Sequence, residues 1–237
     1  MNRLVAPVLL LLTLAFAAST GARAAPKVED TMAQRVLACT GCHGAQGRAA
    51  SDGYYPRIAG KPAGYLVNQL VTFRDGRRQY TLMANLLAPL TDDYLREIAA
   101  HFAQLDLPYP PPQAATVGVD VLSRGEALVT RGDAALGVPA CIQCHGAALM
   151  GVAPSVPALI GMPRDYLNAQ LGAWRTGGRR AMAPDCMAEV AKKLAPSDIS
   201  AISQWLGAQP VAPGAKPAAA LPAPLPLPCG GVPGSPK

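Results

Sequence analysis

One pentapeptide occurs twice in this chain, as Cys39-Thr40-Gly41-Cys42-His43 and, about a hundred residues later, as Cys141-Ile142-Gln143-Cys144-His145. C-x-x-C-H is the attachment sequence for a c-type haem. Two thiols on one short helical turn add across the two vinyl groups of the porphyrin, and the next residue brings its imidazole to the iron. A chain that carries this motif folds around a large, flat, apolar group. C-x-x-C also occurs in zinc and dithiol redox sites. A zinc site needs further ligands, and outside its motif the first half of the chain offers only His101. Cys39, Cys42, Cys141 and Cys144 are therefore the candidate attachment points for two covalently bound haem c groups. His43 and His145 are the candidate ligands on one side of each iron.

The start of the chain reads as a targeting segment. Arg3 is followed by an apolar run over residues 5–18 and by Ala22-Arg23-Ala24, an A-x-A cleavage sequence. We expect a signal peptide over 1–24, cleaved near Ala24, and a periplasmic mature protein that meets membranes only through partner complexes. No later stretch is long and apolar enough for a span of roughly 20 residues. The formal charge of +6 falls to +4 without Arg3 and Arg23. Four haem propionates would bring the holoprotein near neutral. The basic pI of about 9.1 is thus no sign of nucleic-acid binding, and the sequence has no basic run interleaved with aromatic residues.

The rest of the chain is an internal repeat. A shift of 101 aligns residues 56–79 on 157–180 with ten identities, among them Pro56/Pro157, Gly60/Gly161, Tyr65/Tyr166, Gln69/Gln170 and Arg78/Arg179. The expected architecture is all-α. A first domain covers 27–107, a Pro-rich extended linker 108–118, and a second domain 119–208. A Pro/Ala-rich tail without regular structure covers 209–237, laid on the surface or disordered. Helices are expected over 28–38, from Pro62 through Phe73, over 92–104, over 121–130, from Pro163 through Trp174, and over 196–207. Each unit is small for an independent core, and a haem would fill its centre. Arg74, Arg78, Arg175 and Arg179 recur in register, either as partners of haem propionates or as a solvated loop. His101 reads as a surface or interface residue.

The sixth ligand decides whether a haem carries electrons or does chemistry. Met83 is the only Met between His43 and the linker, 40 residues after His43 and seven before Leu90. The second unit offers Met150, Met162, Met182 and Met187. Leu194 matches Leu90, and seven residues before it is Met187, 42 residues after His145. Met187 is therefore the candidate, with Met182 as the alternative and Met150 and Met162 as core.

The order of C-x-x-C-H, Gly-x-Pro-x-x-Tyr-Leu-x-x-Gln-Leu, Arg, and Met ahead of a last helix, all twice, resembles the two-domain class I cytochromes c of bacterial periplasms, the cytochrome c4 family. The resemblance covers about residues 27–208. It implies two helical cytochrome c domains about a pseudo-twofold axis, with haems close enough for fast exchange. It also implies electron carriage from a dehydrogenase or respiratory complex to an acceptor such as a terminal oxidase. Carried over by position, the axial ligands are His43, Met83, His145 and Met187, and no residue is catalytic. Cys186 and Cys229 depart from that pattern. In an exported protein they most simply form a disulfide, pinning the tail over the second Met loop. Alternatively they are free or intermolecular thiols, or Cys186 ligates the second iron and the protein is a catalytic dihaem cytochrome of thiosulfate dehydrogenase or peroxidase type. A permanent cytochrome subunit of a dehydrogenase is the remaining rival.

Overall fold

The structure, a computed structural model, describes residues 29–50 and 53–235, so the expected signal peptide lies outside the described residues. Ten α-helices and one 3₁₀ turn make up its regular structure, and the described residues contain only isolated β-bridges. In the first repeat these are α1 (Met32–Arg35), α2 (Leu37–His43), α3 (Ala63–Arg74), α4 (Thr81–Leu87) and α5 (Asp92–Ala103). In the second they are α6 (Val119–Thr130), α7 (Cys141–His145), α8 (Arg164–Thr176), α9 (Cys186–Lys193) and α10 (Pro196–Gly207). Thr31 caps α1 and Thr91 caps α5, each hydroxyl accepting from the backbone N–H three residues on. The first and last helices of the second repeat cross so closely that a Cβ on Gly125 would stand 2.2 Å from the Ala201 carbonyl oxygen.

Three local expectations change. The helix expected over 28–38 is broken at Val36, so that α2 is re-aimed and Val36 sinks into the core while Leu37 stays exposed. Pro62 and Pro163 precede α3 and α8 as their caps, with extended ψ, instead of starting the helices. Met83 and Met187 sit on short helices of their own, α4 and α9, where no helix was expected. The N–H of Ala188 is received by the carboxylate of Asp185, which caps α9.

The second repeat has one continuous core around Leu128, Ile160, Leu167, Leu194, Ile202 and Leu206. The first has two clusters, one with Leu66, Ile98 and Phe102 behind Cys39, the other with Phe73, Leu87 and Leu95 behind Met83. Leu70 packs on both. The segment between α5 and α6 is extended but fixed. Arg57 donates to the carbonyls of Leu107 and Pro108 and stacks on Tyr109, and the Gln113 N–H reaches the Gly207 carbonyl. Among its described residues the tail has no helix. It runs along the second repeat, where Ala218 accepts from the Ala153 N–H and donates its own N–H to the Gly151 carbonyl, and Lys216 pairs with Asp106. Cys229 is buried in a disulfide with Cys186, and Asn68 of α3 donates to the Gly231 carbonyl.

Candidate functional site

Both histidines end a short helix and are buried. Gly44 and Gly146 follow them with φ of 74° and 80°, a region that residues with a Cβ rarely adopt. At Gly44 a Cβ would also meet the Ala49 carbonyl oxygen at 2.2 Å. This reversal brings the chain back under the motif. There the Nδ1 of His43 is 2.8 Å from the Pro56 carbonyl oxygen, and the Nδ1 of His145 is 2.8 Å from that of Pro157. A carbonyl only accepts, so Nδ1 carries the hydrogen and Nε2 keeps its lone pair for a metal. Burial pushes both imidazoles below their ordinary pKa and keeps them neutral. The repeat alignment starts on Pro56/Pro157, but the role of these carbonyls was not foreseen. The glycine after each histidine was a readable signal that went unused.

In the second repeat a single apolar cavity is lined by Cys141, Cys144, His145 and Met187, with Leu194 and Trp174 among its walls. Met182 is exposed and does not line it, and Met150 is buried among core side chains; Met162 is buried and also lines the cavity, but its sulfur accepts from the Lys61 ammonium group. In the first repeat Cys39 packs against one cluster and Met83, half-buried, against the other. Burial raises the thiols of Cys39 and Cys144, and that of Cys141 is pushed up to about 12. Redox dithiols need the opposite shift. Among the described residues no group of three or more His, Cys, Asp or Glu could hold a metal ion. The zinc and dithiol readings both lack support.

Between the repeats is a buried cationic network. The backbones of Arg78 and Arg179 form an antiparallel bridge, with the Gln79 N–H on the Gly178 carbonyl and the Arg180 N–H on that of Arg77. Arg78 donates to Gln69 at 2.8 Å, to Gln170 at 2.6 Å and to Tyr166 at 3.2 Å. Arg179 donates to Gln170 and Gln69, each at 2.8 Å, and to Tyr65 at 3.4 Å. Each guanidinium also lies on an aromatic ring of its own repeat, Arg78 over Phe73 and Arg179 over Trp174. No described carboxylate pairs with either. Two buried like charges side by side are costly without anions, and carboxylates of a bound group suit them. The solvated-loop alternative therefore fails for Arg78 and Arg179. Arg74 instead pairs with Asp92, and Arg175 is exposed. A further mark of a fitting group is the indole Nε1 of Trp174, buried and without a hydrogen-bond partner among the described residues. Neutral histidines with a free Nε2, paired thiols, apolar walls and cations without carboxylates together fit haem c.

No protein-family model matches the chain. It is 36% identical over 193 residues to the "Thiosulfate dehydrogenase electron acceptor" of Thiomonas intermedia, covering 87% of that protein and 80% of this chain. It is 34% identical over 212 residues to cytochrome c4 of Pseudomonas aeruginosa, covering 98% of that protein and 87% of this chain. This chain belongs to the cytochrome c4 family. Among solved structures, reduced cytochrome c4 of Pseudomonas stutzeri superposes with a TM-score of 0.63 at 29% identity, over 76% of this chain and 99% of that one. Thiosulfate dehydrogenase (TsdBA) of Marichromatium purpuratum gives 0.65 at 32% identity, over 75% of this chain but only 38% of the other.

The protein is an all-α, two-domain electron-transfer protein with two covalently bound haem c groups. Among its described residues no helix is long and apolar enough to cross a membrane. Cys186 is bonded to Cys229 and has no thiolate to offer an iron, which leaves the four motif cysteines outside any disulfide.

Proposed function

We propose that this protein is a periplasmic electron carrier with two His–Met haems, taking electrons from a thiosulfate dehydrogenase and passing them to a terminal oxidase. Cys39, Cys42, Cys141 and Cys144 attach the haems, and His43 with Met83 and His145 with Met187 complete the irons. The observation that carries the reading is the second cavity, where Met187 and His145 share one apolar space and the neighbouring Cys186 is consumed in a disulfide. The bound haem supplies a one-electron couple, and Met ligation raises its potential and keeps the iron closed to small molecules. The Nδ1 bonds to Pro56 and Pro157 hold each imidazole in one orientation and one tautomer in both oxidation states. Apolar walls exclude water, so little solvent reorganises as charge arrives. Arg78 and Arg179, buried between the two domains without described carboxylate partners, would receive haem carboxylates there. No substrate is bound and changed.

The donor is argued from the relatives named as electron acceptors of thiosulfate dehydrogenase, in Thiomonas intermedia and in Stutzerimonas stutzeri at 35% identity. The test mixes the ferric protein with thiosulfate and follows the haem absorbance. Reduction is expected only when a thiosulfate dehydrogenase is added. Rapid reduction by thiosulfate alone, with sulfur–sulfur bond formation, would overturn the carrier in favour of a catalyst. Near-infrared magnetic circular dichroism of the ferric protein should show two equivalents of the His–Met band.

A further inference from the structure

The two haem sites are not equivalent, and the difference comes from the first domain. Lys61 belongs to the first repeat, immediately before Pro62 and α3, yet its side chain lines the second repeat's cavity together with Tyr65. It is 6% exposed. Its ammonium group donates to the Met162 sulfur at 3.4 Å and lies 5.9 Å from the centre of the Tyr65 ring. No described carboxylate pairs with it. The repeat puts Met162 at the matching position of the second unit, where no charge is available to return. The same asymmetry recurs at the ring beneath each arginine. The second unit has Trp174, whose Nε1 is an unused buried donor in that same cavity, whereas the first has Phe73, which has no donor at all.

We infer that Lys61 is a domain-crossing positioning residue for electron transfer, raising the reduction potential of the second haem selectively, with the Trp174 indole as its neutral companion. The inference rests on the proposed two-haem carrier. A positive charge in an apolar, water-poor cavity favours the reduced iron, which is one charge more negative, and the low dielectric preserves the effect. The charge is also conditional. Burial, opposed by the Tyr166 hydroxyl and reinforced by Arg57, Arg179 and Arg78, lowers the lysine to about 8. Tyr65 also faces the ammonium group, and Asp106 lies only beyond Arg57. Deprotonation removes the positive charge, so the second haem's potential should fall as pH rises through this range, and reduction should be accompanied by proton uptake.

The test is a spectroelectrochemical titration of the holoprotein that resolves the two haems, for wild type, Lys61→Met and Trp174→Phe. Each substitution borrows the residue that the chain itself uses in its other repeat. Lys61→Met should lower the second haem alone, changing the equilibrium constant for electron exchange between the haems by about tenfold, which is about 59 mV for one electron. The pH slope of the second haem between about 7 and 10 should vanish. Trp174→Phe should shift it in the same direction by less, with the pH slope kept. Lys61→Arg, which keeps the charge, should restore the potential without the slope, and it separates charge from packing if Lys61→Met loads haem poorly. Equal shifts in both haems, no shift, or a pH slope that survives in Lys61→Met would overturn the inference. A wild type with fewer than two His–Met haems would instead sink the carrier reading itself.

Discussion

A thioether on an iron is a single contact, and the choice among four second-domain methionines turns on where each side chain lies. Met150 is packed in the core and Met182 is exposed, while Met162 and Met187 both line the cavity with His145; the Met162 sulfur already accepts from the Lys61 ammonium group, which leaves Met187 as the candidate. Met187→Ala should remove one of two His–Met bands in the near-infrared spectrum, leave the other untouched and lower the second potential, whereas Met182→Ala should change neither. Loss of the band in Met182→Ala would transfer the ligand. In the sequence it was the Leu90/Leu194 match, with its spacing of seven, that pointed to Met187. The pairing of Nδ1 with a proline carbonyl was not legible, since a backbone acceptor leaves no mark of side-chain type. The arginines were half legible. Their register showed in the sequence, but burial separates Arg78 and Arg179 from Arg74 and Arg175, and burial depends on the second domain.

Among the elements, α9 and the tail behave as one unit. Helix α9 begins at Cys186, its second residue is Met187, and the disulfide ties it to Cys229 across 43 residues of sequence. The Gly230 N–H is received by the Pro184 carbonyl, and a Cβ on Gly230 would lie 2.0 Å from that of Ala183, so the tail is laid tightly along the chain leading into α9. Closing a loop of this length removes about 4 kcal/mol of unfolded-state freedom in the chain-entropy account. The double variant Cys186→Ser/Cys229→Ser should therefore unfold earlier in guanidinium, by up to about that amount. Its second haem should lose Met187 at lower denaturant than the first loses Met83, read from the absorbance band of sulfur-to-iron ligation. Simultaneous loss at both haems would mean that the strap stabilises the whole chain and not α9. The disulfide was readable because two cysteines were left over from the motifs. The short helices α4 and α9 were not, because seven or eight residues give too little periodicity to separate helix from loop.

At the scale of the whole molecule the question is what holds two small domains in one arrangement. Besides Lys61, the connections that cross between them include the Arg78–Arg179 bridge, the pinned segment around Tyr109, and the contact of α3 with the second domain's loop at Pro154. In the last, the Tyr65 N–H is received by the Pro154 carbonyl at 3.2 Å. That approach depends on Gly64, where a Cβ would meet the Ser155 hydroxyl at 2.6 Å and the Pro154 carbonyl oxygen at 2.8 Å. The hydroxyl can rotate away, but the backbone oxygen cannot. Gly64→Ala sits within a helix, so by local propensity it should stabilise α3 by roughly 0.5–1 kcal/mol. Overpacking against fixed backbone costs typically 1–3 kcal/mol, which is larger, so the interface should lose. The expected result is a holoprotein with both haems loaded, an unchanged α3, and slower electron exchange between the haems, with faster proteolysis within residues 108–118. Asp165, the exposed match of Gly64 in the repeat, supplies the control, and Asp165→Ala should leave exchange and proteolysis as in wild type. If Gly64→Ala were equally silent, the contact at Pro154 would be incidental, and the arginine bridge and its counter-charges would have to hold the domains on their own.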